Sequence, residues 1–117
     1  MKQLAPSILS ADFICLGEQL KQLQKLCIHY LHIDVMDGMF VPSISFGMPV
    51  IASLRKHTDM FFDVHLMIEE PIRYVNALRQ AGADGLTVHA EACADLPGTI
   101  AAIRESGAKP AVCLSPK

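Results

Sequence analysis

The stretch Leu31-His32-Ile33-Asp34-Val35-Met36-Asp37-Gly38 decides how this chain is interpreted, because an apolar run there carries two titratable side chains. Successive side chains of a strand point to opposite faces, so His32 and Asp34 share one face. The stretch 61–67 repeats this pattern and places Asp63 and His65 together. If the two strands are neighbours in a sheet, we expect His32, Asp34 and His65 to meet.

Composition narrows the class of protein. The 117 residues are 51% apolar and carry a net charge of −2, which suits one packed domain and gives no basic patch for nucleic acid or membranes. The chain shows no apolar run of about 20 residues and no signal-peptide pattern. We therefore expect a cytoplasmic protein whose partner is a small molecule, with no nucleic acid and no membrane partner.

The cysteines show no metal-binding or disulfide spacing. They are scattered along the chain and none forms a C-x-x-C motif: Cys15, Cys27, Cys93 and Cys113. This distribution is typical of a reducing compartment, where free cysteines behave as small buried hydrophobic residues. We expect all four to be structural.

Apolar periodicity and Pro/Gly positions predict the element order βαβαβαβαβ. The predicted strands cover residues 4–9, 30–35, 61–65, 85–89 and 111–114, and the predicted helices cover 16–27, 49–56, 71–81 and 97–105. Strands that alternate with helices indicate a parallel sheet with right-handed crossovers.

Two α/β architectures fit this order, an open doubly wound sheet and a (β/α)8 TIM barrel. Central strands of an open sheet are apolar on both faces, whereas two strands here carry polar residues on one face. No Gly-x-Gly-x-x-Gly motif follows the first strand, which weakens a dinucleotide-binding interpretation. At roughly 30 residues per βα unit, residues 1–117 would be the first four and a half units of one barrel.

Imidazole and carboxylate groups on neighbouring strands point to metal chemistry. Zinc is bound by His nitrogen and carboxylate oxygen at about 2.0 to 2.2 Å, and a catalytic site keeps one position open for substrate. His32, Asp34 and His65 could form such a site. Alternatively, each could be a buried polar group that its neighbours satisfy. Asp63 could orient a ligand imidazole or be structural, and His89 is a weaker candidate.

Other polar and sulfur-containing residues have simpler interpretations. Asp37 suits a turn, and His29 and His57 are expected to be exposed to solvent. The methionines that follow the two polar strands could be core filler or a polarisable lid over the site; they are Met36, Met39, Met48 and Met67.

Four stretches together resemble ribulose-phosphate 3-epimerases. They are APSILSAD at 5–12, LHIDVMDG at 31–38 followed by FVP at 40–42, DVHLM at 63–67 and HAEA at 89–92. The stretches occur in the family's order and spacing and span the whole chain. The resemblance implies a (β/α)8 barrel that interconverts D-ribulose 5-phosphate and D-xylulose 5-phosphate through an enediolate, in the pentose phosphate pathway.

The resemblance also assigns roles to residues. It implies one divalent metal ion, zinc or iron before manganese or cobalt, held by His32, Asp34 and His65. Asp34 would also be one acid/base, and the expected substrate contacts are Ser7, His65, Met36 and Met67. The implied partner is a phosphorylated ketose, and we expect a homo-oligomer.

The chain departs from the family pattern in two ways. The family usually has His at the position of Met39 and Asn at that of Ser43. Its second acid/base, an aspartate on strand seven, and its phosphate-binding loops have no counterpart in these residues. A lone half barrel would expose its edge strands, so we expect a fragment, a partner chain or poor solubility.

Three alternatives to this pentose epimerase stay open at the level of sequence. The first is an epimerase for a ketohexose phosphate such as D-allulose 6-phosphate. The second is a non-catalytic half-barrel module, which becomes the favoured interpretation if the natural chain ends at Lys117. The third, a metal hydrolase, explains the ligand types but not the ordered motifs.

Overall fold

Four parallel strands form one sheet in the order β1-β2-β3-β4, so each strand lies beside the next one along the chain. In the computed structural model, which describes residues 2–116, the strands are β1 Tyr30–Met36, β2 Phe61–Met67, β3 Gly85–His89 and β4 Lys109–Cys113. A doubly wound sheet reverses its strand order near the middle, whereas barrel strands follow one another. The predicted α/β class is confirmed, and the strand order is that of a barrel wall.

Helices connect the strands at the predicted places. They are α1 Leu16–Lys25, α2 Met48–Arg55, α3 Val75–Ala81 and α4 Leu96–Ser106, with short 3-10 turns at Ile8–Ser10, Phe13–Cys15, Pro71–Tyr74 and Ala90–Ala92. The sequence explains their ends: the Asp95 side chain accepts from the Gly98 amide at the start of α4, and Gly107 ends α4 with φ of 93°. No helix among residues 2–116 is long and apolar enough to cross a membrane.

The two faces of the sheet differ as the alternation predicts. Leu31, Ile33, Phe62 and Val64 are fully buried and share one apolar core with helix residues. The opposite face carries the partly exposed polar residues of β1 and β2. One face therefore supplies packing energy, and the other is free for chemistry.

The predicted strand at residues 4–9 is wrong. This segment makes a single parallel bridge, Ser7 to His32, and the His32 amide donates to the Pro6 carbonyl at 2.9 Å. Pro6 has no amide hydrogen to donate, and Ser7 caps a 3-10 turn by accepting from the Leu9 amide. The segment still runs beside β1 and brings Ser7 next to its polar face.

Two further predictions need correction in detail. The third helix begins as the 3-10 turn Pro71–Tyr74, which has about 3.0 residues per turn. Ile72 is therefore rotated off the buried face and is 41% exposed, while Val75 and Leu78 are buried as expected. The last strand begins at Lys109 and ends at Cys113, slightly earlier than predicted.

The prediction of four buried cysteines is also wrong. All four are free thiols, but Cys15 and Cys27 are exposed, and only Cys93 and Cys113 are partly buried. Cys15 follows a short 3-10 turn, and Cys27 lies beyond the end of α1 with a positive φ of 59°. Neither position faces the core.

Candidate metal centre

The pairing of β1 with β2 aligns their polar residues. His32 pairs with Asp63, Asp34 with His65, and Met36 with Met67. Because residues paired in register point to the same face of a parallel sheet, these side chains form one patch. The patch lies on the face opposite the apolar core.

The centre of this patch is a group of three residues, His32, Asp34 and His65, here called the Asp34 trio. Asp34 Oδ1 lies 3.0 Å from His32 Nε2 and 3.1 Å from His65 Nδ1. Tetrahedral ligands with bonds of about 2.0 to 2.1 Å lie roughly 3.3 Å apart, so this spacing is close to that around a bound ion. The predicted convergence of the three side chains is observed, while their role as ligands stays a prediction.

The hydrogen bonds of His32 leave this trio short of positive charge. His32 Nδ1 lies 2.9 Å from Asp63 Oδ2, and its Nε2 faces Asp34 Oδ1. A neutral imidazole has one N–H, so it can satisfy only one of these two carboxylates. The other contact sets a ring lone pair against an oxygen, unless a proton or a metal ion lies there.

The two histidines titrate in opposite directions. The hydrogen bond to Asp63 raises the pKa of His32 above 6.5, helped by the charge of Asp34. Burial lowers the pKa of His65 below 6.5, although Asp34 opposes this shift. At a given pH, His32 therefore holds a proton more readily than His65 does, and the neutral imidazole is the form that binds metal.

Asp34 is held from three directions. Its Oδ2 accepts from the Ser7 hydroxyl at 2.5 Å, so the two carboxylate oxygens have different neighbours. Its carbonyl accepts from the Ser45 hydroxyl at 2.7 Å, and Ser45 Oγ in turn accepts from the Met36 amide at 3.0 Å. Ser45 was not predicted as a site residue, because a serine in a loop carries no periodic signal.

A second group of three, His65, His89 and Cys113, adjoins the first and is here called the Cys113 trio. His65 Nε2 lies 2.8 Å from His89 Nε2, and the rings stack at 24° with centroids 4.9 Å apart. The ligand atoms of all three residues lie within 4.8 Å of one another. His89 pairs with Cys113 in the β3–β4 register, but this proximity could not be predicted without knowing that register.

The loop after β1 closes over this patch. Asp37 Oδ1 accepts from the amides of Met39 and Phe40, and its Oδ2 accepts from the Glu69 amide at 2.9 Å. Asp37 therefore ties the loop after β1 to the loop after β2, in addition to its predicted turn role. The Phe40 ring lies 5.0 Å from the His89 ring and covers one side of the Cys113 trio.

The predicted lid residues divide into two groups. Met36 and Met67 are partly buried and pair at the carboxyl ends of β1 and β2. Met39 is 72% exposed, and Met48 begins α2. Only the first pair is therefore placed beside the Asp34 trio by the strand register. His29 and His57 are exposed, as predicted.

Sequence comparison identifies the family to which these features belong. Residues 3–117 match the model of the ribulose-phosphate 3 epimerase family. The chain belongs to this family. Its members are (β/α)8 barrels, which agrees with the strand order and the one-sided layering of helices.

Curated relatives of this epimerase-family chain carry the same name. It is 53% identical to ribulose-phosphate 3-epimerase of Bacillus subtilis over 116 residues, which are 99% of this chain and 54% of that protein. It is 46% identical to the enzyme of Rhodobacter capsulatus, covering 97% of this chain and 50% of the relative. A cytoplasmic isoform from Oryza sativa is 44% identical, with the same coverage. The chain thus spans about half the length of the curated relatives it matches.

A solved structure supports the fold independently. The chain is similar to 7,8-dihydropteroate synthase of Vibrio fischeri, with a TM-score of 0.58 and 14% identity. The match covers 97% of this epimerase-family chain and 44% of the synthase. At this identity the likeness concerns the fold alone.

Proposed function

We propose that this chain is the N-terminal portion of a single TIM barrel that interconverts D-ribulose 5-phosphate and D-xylulose 5-phosphate. Residues 1–117 would supply metal ligands and one acid/base to that barrel. The observation that carries the proposal is the Asp34 trio, in which a carboxylate oxygen meets two ring nitrogens at about ligand spacing. Family membership over residues 3–117 supports the reaction class.

The residues of the trio fit a divalent ion. His32 Nε2, Asp34 Oδ1 and His65 Nδ1 would hold it, and Asp63 would fix the orientation of the His32 ring. Imidazole nitrogen with carboxylate oxygen suits zinc or iron, with manganese or cobalt as further candidates. When bound, such an ion supplies positive charge that stabilises enediolate oxygens as a proton leaves the substrate.

Asp34 is proposed to exchange the proton at C3. Epimerisation breaks the C3–H bond, moves its electron pair toward the neighbouring carbonyl and returns a proton on the opposite face. Among the described residues, Asp34 Oδ2 accepts from the Ser7 hydroxyl whereas both imidazoles contact Oδ1, so Oδ2 is the oxygen we assign to this transfer. When Asp34 becomes protonated, the Ser7 hydroxyl would donate its hydrogen bond to the substrate in place of Asp34 Oδ2.

Met36 and Met67 are proposed to cover the reacting carbons. They pair in register at the strand ends and are partly buried, so their side chains border the polar patch from the carboxyl side. An apolar cover limits the access of water and keeps the proton at Asp34 from exchanging freely. The polarisable sulfur atoms can adapt to the planar enediolate.

The remaining parts of the catalytic machinery are proposed to lie outside these 117 residues. The reaction needs a second acid/base on the opposite face and a site for the phosphate. β4 has one sheet neighbour, and Val112 and Leu114 near it are 46% and 72% exposed, which suits further strands of the same barrel. We also propose that the protein is a homo-oligomer. We propose a cytoplasmic location because a rice relative is named a cytoplasmic isoform.

Turnover in deuterium oxide tests the proposal. The product of the whole reading frame that contains this sequence is depleted of metal, reloaded with zinc, iron, manganese or cobalt, and given D-ribulose 5-phosphate. We expect D-xylulose 5-phosphate that carries solvent deuterium at C3, and we expect chelation to abolish its formation. Turnover that survives chelation, or that leaves C3 unlabelled, would contradict the proposed mechanism.

A parallel assay tests the substrate. Faster turnover of D-allulose 6-phosphate than of D-ribulose 5-phosphate would replace the pentose by the hexose. A folded protein that binds metal but converts neither sugar would favour the non-catalytic module.

A further inference from the structure

We propose that the Cys113 trio is a second cation site, selective for divalent metals that prefer sulfur. Its three possible ligands come from three adjacent strands, β2, β3 and β4, which fix their positions. A thiolate with two imidazoles is a donor set that zinc, cobalt and cadmium favour over harder ions such as magnesium. The proposed epimerase reaction uses neither His89 nor Cys113, so the inference goes beyond it.

The surroundings of His89 leave one of its ring nitrogens available for a metal. His89 Nδ1 lies 3.3 Å from Ser115 Oγ and 3.7 Å from Glu91 Oε2. An N–H at Nδ1 can donate to Ser115 Oγ, with the Glu91 carboxylate close by, which leaves the lone pair on Nε2, the atom that faces His65. Histidine ligands of metals are commonly oriented in this way by a carboxylate behind the ring.

His65 can serve either trio through a change of tautomer. Its Nδ1 faces Asp34 Oδ1 at 3.1 Å, and its Nε2 faces His89 Nε2 at 2.8 Å. A cation at the Cys113 trio needs the lone pair of Nε2. The ring proton of His65 then lies on Nδ1, and this N–H donates a hydrogen bond to Asp34 Oδ1. A cation at the Asp34 trio needs the opposite tautomer. The two sites therefore compete for one neutral imidazole.

Burial makes the Cys113 trio suitable for a bound ion. His89 is 6% exposed, and the side chain of His65 is 18% exposed. The Phe40 ring covers His89 from the loop side. A metal ion deprotonates a coordinated thiol, so binding at Cys113 releases a proton and is stronger at higher pH.

Cobalt absorption spectroscopy tests the site, because only a thiolate ligand gives an intense sulfur-to-cobalt charge-transfer band. Cobalt is titrated into the metal-depleted product of the whole reading frame, in the presence of a phosphine reductant that keeps the thiols reduced. We expect the band in the wild-type protein, its loss in Cys113→Ser, and its retention in Cys93→Ser. Cys93 is the matched control, since it is also partly buried and contacts the His89 carbonyl through its thiol. X-ray absorption of the zinc-loaded protein should show a sulfur neighbour at about 2.3 Å.

A second variant tests the histidine ligand. Loss of even an outer partner costs about 10- to 100-fold in metal affinity. We therefore expect His89→Gln to raise the cobalt concentration at the midpoint of the thiolate-band titration by at least about tenfold. Circular dichroism of each variant checks that the fold is retained. No band in the wild-type protein, or a band that survives Cys113→Ser, would overturn the proposal.

The outcome can be separated from that of the proposed function. Asp34→Asn removes a ligand of the Asp34 trio and leaves the Cys113 trio intact, so the thiolate band should persist in this variant. Turnover that is absent in both the wild-type protein and Cys113→Ser, with an intact thiolate band in the wild type, rejects only the proposed function. Turnover without any thiolate band rejects only the second cation site.

Discussion

Two polar clusters lie at opposite ends of the same sheet, and they differ in whether their charges balance. The Asp34 trio lies toward the carboxyl ends of β1 and β2. The second cluster, here called the Arg55 cluster, precedes the amino ends of β2 and β3 and joins Arg55 to Asp84 and to three backbone carbonyls. Both clusters contain a carboxylate with nitrogen-bearing partners, yet only one of them is complete.

The Arg55 cluster satisfies its own charges. The guanidinium donates to Asp84 Oδ2 at 2.8 Å and to the carbonyls of Thr58, Met60 and Gly82 at 2.7 to 3.1 Å. Its carbon lies 3.8 Å from the centre of the Phe62 ring, and Asp84 also accepts from the Phe62 amide. These bonds join the loops before β2 and β3, so the cluster stabilises the fold.

Within residues 2–116, the Asp34 trio has no such donor of fixed charge. Its carboxylate meets two imidazoles whose second nitrogens already face Asp63 and His89. The comparison shows that a balanced cluster is structural, whereas a cluster with an excess of acceptors needs a proton or a cation. It also agrees with the general rule that barrel chemistry lies at the carboxyl ends of strands and stability at the amino ends.

The largest expected effect follows Asp34→Asn, which removes the excess acceptor. A general acid/base contributes about 10²- to 10⁴-fold, so we expect turnover of D-ribulose 5-phosphate to fall by at least that range. The free energy of unfolding of the metal-free protein should stay equal or rise, because the neutral amide of asparagine removes a negative charge from a trio that has an excess of acceptors. Steady-state kinetics and urea unfolding measure the two quantities.

The matched control for Asp34→Asn is Asp59→Asn, at an exposed acid outside both clusters. It should change neither turnover nor stability. A strongly destabilised Asp34→Asn variant would mean that the trio is as balanced as the Arg55 cluster, and the contrast between the two would fail.

Arg55→Met is expected to have the opposite profile. It removes four hydrogen bonds and leaves Asp84 without its nearest cation, and its side chain is only 26% exposed. We expect a loss of about 2 to 4 kcal/mol in the free energy of unfolding, because breaking a partly buried ion pair strands the remaining partners. Turnover at a temperature where the variant is folded should change little.

Arg104→Met is the surface control for this variant, since Arg104 is exposed on α4. A surface change of this kind is usually worth no more than about 0.5 kcal/mol. If Arg55→Met were no more destabilising than Arg104→Met, the Arg55 cluster would not be the structural counterpart described above.

Asp63→Asn sharpens the comparison within the polar patch. Asp63 does not face the shared centre of the trio but orients His32 through Nδ1 at 2.9 Å. Loss of such an outer partner costs about 10- to 100-fold in metal affinity, which we expect for zinc in a competition titration with a chelator. Unchanged zinc affinity would show that the His32 ring is positioned by packing alone.

Most of the fold was predictable because its signals are local. Apolar periodicity and the positions of Gly82, Gly107 and Pro71 mark the helices, and β3 has its predicted bounds. The segment at 4–9 was mistaken for a strand because its composition is apolar, whereas its pairing depends on the free amides of its backbone. Apolar composition alone takes no account of the missing amide hydrogen of Pro6 or of the cap that Ser7 forms.

The part of the site that depends on the alternation of side chains along a strand was predictable. The part that depends on how neighbouring strands pair was not. Alternation along β1 and β2 places His32, Asp34 and His65 on one face without knowledge of the pairing. The closeness of His89 to His65, and of Cys113 to His89, depends on the register of β2, β3 and β4. No single strand carries that information, so neither residue had a strong signal.

The smallest expected effect is the pH dependence of stability in the metal-free protein. Asp63 raises the pKa of His32, so the folded state binds more protons than the unfolded state above pH 6.5. The stability contributed by His32 is therefore present below pH 6.5 and is lost as pH rises through the raised pKa. Burial lowers the pKa of His65, so its contribution is present above pH 6.5 and is lost as pH falls through the lowered value.

The two histidines should therefore give a shallow stability maximum near pH 6.5, measured by urea unfolding from about pH 5 to 8, above the range where most carboxylates titrate. Asp63→Asn separates their contributions: the loss on the alkaline side should shrink and the loss on the acid side should stay. The same variant should lower the pKa of His32 as followed by its imidazole NMR signals. An alkaline loss that persists undiminished in Asp63→Asn would show that Asp63 does not cause it, and Asp34 or a group outside the trio would then be its source.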